Sequence, residues 1–295
     1  MAAEFLLRYD GGDAIDHTMD MRLLGRSLIG VDQAIHRGLW AALHPDIPRG
    51  KKHLDLRVQV TAPQAACVEV MGALTGLAGV LPFAYDVATG LGTDYIKNLL
   101  SAVILFHGGR KADAQVHMDK MLDIIADAQR LQYEDRQSER ATLERIHAKT
   151  SEAIIEAVQT MRQQAREMVA PVGPSTETLR IGDRSLKDAT VIDVAIAEAV
   201  RAGGSLEVGD MAIFEVRLDG ITRHNRNARV ELPSEPGSYL SAEIRDPGFD
   251  EFPNAYTDAF GKEAIIRVHA RPTYREGSLF KLHILNFIEE VTGTA

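Results

Sequence analysis

"VMGALTGLAGVLPFAY", Val70 to Tyr85, carries no charged residue and holds Gly72, Gly76 and Gly79 within eight positions. Its reading decides the fold. Either it is the buried core of a soluble domain or it is chain meant for lipid. A spanning helix needs about 20 mostly apolar residues, and roughly 17 can suffice. Cys67 to Tyr85 just meets that length if Glu69 lies at the interface. In a helix the three glycines leave one face nearly bare, along which backbones approach closely in lipid. Pro82 and "TGLGTD" would kink or divide a hairpin whose second arm is "YIKNLLSAVILFH", Tyr95 to His107. That arm is short for a span and suits a re-entrant or interfacial segment. Leu99 and Val103 would face a pore, and Arg110-Lys111 would be the cytoplasmic anchor. The alternative is a buried hairpin, since glycine-rich helices also pack tightly inside soluble domains.

Upstream, "EFLLRYDGG" reads as a strand running into a turn at Gly11-Gly12. Met21, Leu24, Leu28, Val31, Ile35 and Leu39 recur every three or four positions and predict an amphipathic helix over 19–43. "HLDLRVQVTAP" alternates as a half-buried strand does, and "ACVEVM" is its expected partner. Downstream, residues 112–170 hold no proline and no glycine, and are rich in helix formers. Met118, Met121, Leu122, Ile125 and Ala128 make one apolar stripe; Leu143, Ile146, Ala153, Ala157, Met161, Ala165 and Met168 make another. This is one long helix or coiled coil with a solvated middle, or a helical hairpin, and stripes this narrow suit partner helices. "APVGPST" marks a linker. After a short helix over 188–202, five strand-like segments follow at roughly ten-residue spacing: "AIFEVRLDG", "ARVELP", "YLSAEIRD", "AIIRVHARP" and "LFKLHILNFIEE". They predict a small antiparallel β-barrel or sandwich. The fold class is therefore α+β in four parts: an α/β unit over 1–65, an apolar helical hairpin over 66–109, a helical oligomerisation region over 110–170, and a β-rich sensing domain over 175–295.

Composition bounds the function. A chain of 295 residues, 45% hydrophobic and 25% charged, has the length and character of a folded protein. A formal charge of −9 argues against non-specific coating of nucleic acid, though a local basic groove is compatible with it. A single cysteine, Cys67, leaves no internal disulfide and no multi-cysteine metal site. Glu4 and Asp10 stand where a signal peptide would carry a basic region. No phosphate loop, zinc-protease motif or nucleophile elbow occurs, and "GLGTDY" lacks the third glycine of a dinucleotide fingerprint. The chain reads as a non-enzyme with no cofactor and no metal.

Two clusters merit weighing. Asp10, Asp13, Asp16, His17 and Asp20 could hold a divalent ion and make the chain a metal-dependent hydrolase. The favoured reading is plainer: Asp10 and Asp13 shape the glycine turn, and Asp16 or Thr18 caps the helix that follows. "RHNRNARVE" contributes Arg223, His224, Arg226 and Arg229, while "RVHARPTYR" contributes Arg267, His269, Arg271, Tyr274 and Arg275. On neighbouring strands, Arg223, Arg226, Arg229, Arg271, Tyr274 and Arg275 would form a basic and aromatic surface. Small barrels use such surfaces to stack bases and hold phosphates. The alternative is a solvated sheet face in which these charges sit among Glu215, Glu231, Glu243 and Asp246.

"LLRYDGGDAIDH", "LGRSLIGVDQAI", the apolar hairpin and "HGGRKADAQVHMDKML" resemble a class of bacterial proteins encoded near mobile elements and phage-defence genes. These motifs identify no activity. The layout of hairpin, long helix and terminal sensing barrel is similar to membrane effectors of antiphage systems, the Hailong effector among them, a channel-like tetramer restrained by DNA oligomers. The resemblance implies a homo-oligomer, a tetramer by that likeness, acting at the bacterial inner membrane with cytoplasmic domains. A nucleotide or short single-stranded DNA at the C-terminal domain would gate it, made by a partner enzyme that the sequence does not name. The competing expectation is a cytoplasmic oligomeric scaffold or adaptor, with the apolar hairpin buried between subunits.

Overall fold

A computed structural model of the chain describes residues 3–45, 57–60, 68–75, 92–133, 140–203, 206–275 and 277–291. These fold as two compact units, Met1–Gly203 and Gly204–Ala295, of α+β character.

The first unit is built on strands β1 (Ala3–Asp10), β2 (Arg57–Val60), β3 (Val68–Thr75), β4 (Thr178–Gly182) and β5 (Thr190–Asp193). All pair antiparallel, in the order β2-β3-β1-β4-β5. β1 is central, with one wholly apolar face and Leu6 on the other: Phe5, Leu6, Leu7 and Tyr9 are all buried. Alternation puts Phe5, Leu7 and Tyr9 on one face, where the register sets them against Gly72, Val70 and Val68. A methyl group at Gly72 would overlap the Phe5 ring, so the glycine makes room for it.

Among the described residues six α-helices complete this unit: α1 (Met21–Leu43), α2 (Gly92–His107), α3 (Lys111–Tyr133), α4 (Arg140–Thr160), α5 (Arg162–Met168) and α6 (Val194–Ala202). α1 packs against α5, α4 and α2. Gly30 gives it a close approach to the backbone of α5, and Gly38 to Leu99 of α2. Tyr9 donates to Ser27, which donates in turn to the Met168 carbonyl at 2.6 Å; the two bonds tie β1, α1 and α5 together. α2 is enclosed all round, with Tyr95, Ile96 and every residue from Asn98 to Leu105 buried.

Several expectations change here. Residues 70–75 are strand, not the start of a helix: β3 runs four residues past the "ACVEVM" segment, because pairing with β1 continues as far as Ala3. Gly76, Gly79 and the rest of 76–91 lie outside the described residues. The region over 110–170 is not one long helix. α3 and α4 pack on each other, and the two stripes (Met118, Met121 and Ile125 on α3; Ala157 on α4 continuing through Met161 to Ala165 and Met168 on α5) are buried within the same unit. The region over 178–193 supplies β4 and β5 to the first sheet, so the boundary falls at Gly203 rather than after "APVGPST". Gly203 closes α6 in the left-handed conformation that a glycine adopts freely.

The second unit contains β6 (Glu207–Val208), β7 (Ala212–Thr222), β8 (Asn227–Glu231), β9 (Tyr239–Ile244), α7 (Ala255–Gly261), β10 (Ile265–Arg275) and β11 (Ser278–Glu290). β7, β8 and β9 form an antiparallel meander. After α7 the chain returns as β10 against β7, then turns into β11, which pairs with both β10 and β9. The ring β7-β8-β9-β11-β10 thus closes on itself. It is a barrel rather than a sandwich and is not wholly antiparallel, since β9 and β11 run parallel. A closed five-stranded ring in this order, with its helix between the third and fourth strands, has the connectivity of an OB-fold. Val216, Leu218, Val230, Ala242, Ile266, Val268, Leu282 and Ile284 fill it, and Phe249 and Tyr256 plug the end beside α7. There the buried Tyr256 hydroxyl donates to Asp246 Oδ2 at 2.7 Å, and the same oxygen accepts the Phe287 N–H at 2.8 Å.

Candidate functional site

Alternation fixes what the barrel shows outward. On β8, Ala228 and Val230 point into the core, so Arg229 points out. The register sets Arg229 beside Ser241 of β9, Ser241 beside Lys281 of β11, and Lys281 beside Thr273 of β10. The next outward row reads Asn227, Glu243, His283 and Arg271. Of these two rows on four neighbouring strands, Arg229, Ser241 and Asn227 are exposed, Lys281 and Arg271 half-buried, and Thr273, Glu243 and His283 buried, so one carboxylate sits covered among cationic side chains. Glu243 accepts from Lys281 at 2.7 Å and pairs with Arg245. Burial opposes its charge, but the Lys281 hydrogen bond and the charges of Arg245 and Lys281 hold it ionised, below the ordinary carboxylate range. His283 lies 3.7 Å from Glu243; burial and then Lys281, with smaller contributions from Arg245 and Arg271, push the imidazole down to about 3, against the pull of Glu243. It is neutral at pH 7.

At the edge of this surface two arginines lie over aromatic rings. The Arg229 guanidinium is 4.0 Å from the centre of the Tyr239 ring, and Arg275 is 3.7 Å from that of Phe280. Tyr239 stands two residues before Ser241 and Phe280 one residue before Lys281, so both rings mark the same end of adjacent parallel strands. Both are exposed, at 47% and 36%. A solvent-facing ring already flanked by a guanidinium offers a π-face and a positive charge together.

The five arginines and one tyrosine expected to form one surface are divided. Arg229, Arg271 and Arg275 belong to this face and its rim. Tyr274 pairs with β6, and its ring would meet a side chain at Gly209, so it packs against that backbone. Arg223 and Arg226 lie at the opposite end of the barrel. There Arg226 pairs with Asp250, while Arg223 donates to the Asp250 carbonyl at 3.2 Å and lies 5.3 Å from the Phe252 ring centre. They are placed apart because β7 turns into β8 near α7, whereas β10 turns into β11 at the far end. Tyr239, Phe280, Lys281, Arg245 and His283 were missed by the sequence reading. Their signal was available in the outward register of β9 and β11, but only a strand order brings the two together.

In the first unit the aspartate cluster is absorbed by structure. Asp20, rather than Asp16 or Thr18, caps α1, accepting the Arg22 and Leu23 N–H groups at 2.8 and 3.1 Å. Asp13 accepts from Ser175 at 2.7 Å, and Asp10 from Arg8 at 2.8 Å. Of the residues expected at a pore, Gly72 lies in β3, and Leu99 and Val103 are wholly buried in the core of the unit. Among the described residues no helix is long and apolar enough to cross a membrane.

Fold and surface together define a two-unit α+β protein with an OB-type barrel as its second unit. The chain belongs to the family described as domain of unknown function DUF7946, whose model matches residues 5–201, and a second model, the family of unknown function DUF7947, matches residues 210–288. The two matches follow the two structural units. No curated protein and no solved structure matches the chain.

Proposed function

We propose that the C-terminal barrel binds a nucleotide or a short single-stranded nucleic acid, and that the first unit is the scaffold carrying this sensor. The observation that carries the reading is the pairing of Arg229 with Tyr239 and of Arg275 with Phe280 at one end of adjacent strands, beside Lys281. OB-type barrels hold single strands on their second and third strands and on the loop joining the fourth and fifth. Here those elements are β8, β9 and the β10–β11 turn. Bases stack on the open faces of Tyr239 and Phe280, and the guanidinium groups and Lys281 meet the phosphates. The reading of the first unit as scaffold draws on the burial of α2 from Asn98 to Leu105 inside its own unit.

The experiment is anisotropy of a fluorescein-labelled oligothymidine titrated with the full chain at two salt concentrations. Base–aromatic stacking contributes about 1–3 kcal/mol per base. Tyr239→Ala and Phe280→Ala should therefore each weaken binding by roughly tenfold or more. Arg275→Gln should weaken it and flatten the salt dependence, because fewer counterions are released. Arg223→Ala, at the other end of the barrel, should leave affinity unchanged. Equal binding by wild type and by the Tyr239→Ala/Phe280→Ala double variant overturns the proposal.

A further inference from the structure

Across the end of the barrel that carries the β10–β11 turn, five side chains stand in strand order. β8, β9, β11 and β10 lie side by side in that sequence. They contribute in turn Arg229, Tyr239, Lys281 with Phe280, and Arg275. The array runs guanidinium, ring, ammonium, ring, guanidinium over three strand spacings, about 14 Å. Its two halves are alike: each guanidinium lies over its ring and comes from the strand on that ring's outer side.

The array is also short. In the next outward row the two central residues, Glu243 and His283, are 7% and 2% exposed, so the middle of the face offers a ligand no second tier of contacts. Among the described residues of the barrel, the other exposed phenylalanine or tyrosine rings are Phe252 and Phe260, just before and within α7 at the opposite end. Nor does a basic track lead away. Arg229 Nε lies 3.3 Å from Asp219, Lys281 donates to Glu243, Glu231 beside Tyr239 accepts from Arg217, and Glu235 stands exposed in the β8–β9 turn. A groove that follows a long strand carries positive charge along the whole backbone. Here carboxylates offset the cations nearly one by one, in a chain of formal charge −9.

Resting on the nucleotide reading above, we propose that the ligand at this end is a dinucleotide. One base stacks on Tyr239 and the other on Phe280. Lys281, whose ammonium carries three donors, meets the linking phosphate, and Arg229 and Arg275 meet the outer phosphate and sugar groups. Two stacking platforms set the number of bases, and the offset charge sets the number of phosphates low. OB-type barrels that track a strand cover about 4–16 nucleotides; this face has places for two.

The test is a length series on the full chain: thymidine monophosphate, 5′-phosphorylated dithymidine, and oligothymidines of four and eight nucleotides. Dissociation constants come from ligand-observed NMR, which reaches weak binding. Affinity should rise roughly tenfold or more from the mononucleotide to the dinucleotide, the increment of one further stacked base. It should then stay level to the octamer once divided by the number of two-base registers. Tyr239→Ala and Phe280→Ala should each erase the rise while the mononucleotide still binds the remaining ring. A barrel that had lost its fold would lose the mononucleotide as well, and two separate variants keep the test available should one not fold. Affinity per register that climbs from two nucleotides to eight overturns the dinucleotide and leaves the nucleic-acid reading standing. Equal affinity for one and two nucleotides overturns it too, and no binding at any length overturns both readings.

Discussion

Helix α2 and strand β10 lie in different units and hide apolar side chains by opposite rules. In β10, Ile266, Val268 and Ala270 turn inward while Arg267, His269 and Arg271 turn outward, so the segment carries its own record of inside and outside. α2 is hidden on every side from Asn98 to Leu105 and carries no such record. A helix that is apolar all round is compatible with a protein interior or a lipid one, and hydrophobicity alone does not separate them. What separates them here is contact: Leu99 meets Gly38, and the Tyr95 hydroxyl donates to the Gly38 carbonyl at 3.0 Å.

The largest expected effect tests that contact. Leu99→Ala removes a fully buried side chain from a helix with no exposed face there, and should destabilise the first unit by about 4 kcal/mol. Denaturation followed by hydrogen exchange of α2 and β10 amides reports the units separately; protection should fall in α2 and hold in β10. Gly38→Ala should also destabilise, because its methyl overlaps Leu99, yet the Leu99→Ala/Gly38→Ala pair should cost less than the sum. Strict additivity would mean that Leu99 faces something other than α1.

The barrel's corresponding test is electrostatic. Glu243→Gln leaves Lys281 and Arg245 packed together without their counter-ion, at a cost of roughly 3 kcal/mol, felt in β10 and not in α2. The pH dependence has a definite sign. The Glu243 carboxyl is held below its ordinary 4.5 in the folded state, so the unfolded chain takes up a proton first as pH falls. Its stabilisation is present above pH 4.5 and is lost on further acidification. Wild type should therefore lose barrel stability below that pH more steeply than Glu243→Gln does. Parallel curves would show that the lysine and arginine do not depend on this carboxylate.

The same contrast explains what could be read from the chain alone. All five barrel strands were legible, because each alternates and each is bounded by turn residues. α1 and the β2–β3 pair were legible for similar local reasons. β4 and β5 were not, since their place depends on the bare edge of β1 more than 160 residues earlier. α7 was missed although Asn254 and Thr257 cap it reciprocally, because seven residues show too little periodicity. Of the glycines expected to let helices approach closely, Gly72 serves a strand and Gly76 and Gly79 lie outside the described residues, while Gly30 and Gly38 of α1 make such approaches. The arginines near the barrel were recognisable as a set. Which of them share a face depended on strand order, which composition does not encode.

The smallest effect sharpens the reading of the acidic turn before α1. Asp16 is exposed, Asp13 is engaged by Ser175, and the Thr18 hydroxyl donates to the Asp13 carbonyl at 3.0 Å, so none of the three is free to cap the helix as Asp20 does. Asp20 Oδ1 satisfies two of the first N–H groups of α1 and places negative charge at the positive end of the helix dipole. Asp20→Ala should cost about 1 kcal/mol and Asp20→Asn less, since an amide oxygen still accepts but the charge is gone. Asp16→Ala should fall within about 0.5 kcal/mol of wild type, as exposed substitutions do. Melting curves with and without added magnesium distinguish capping from cation binding: a cap is indifferent to the ion. A magnesium-dependent rise in Tm that vanishes in Asp13→Ala or Asp16→Ala would restore a metal-binding role to the turn.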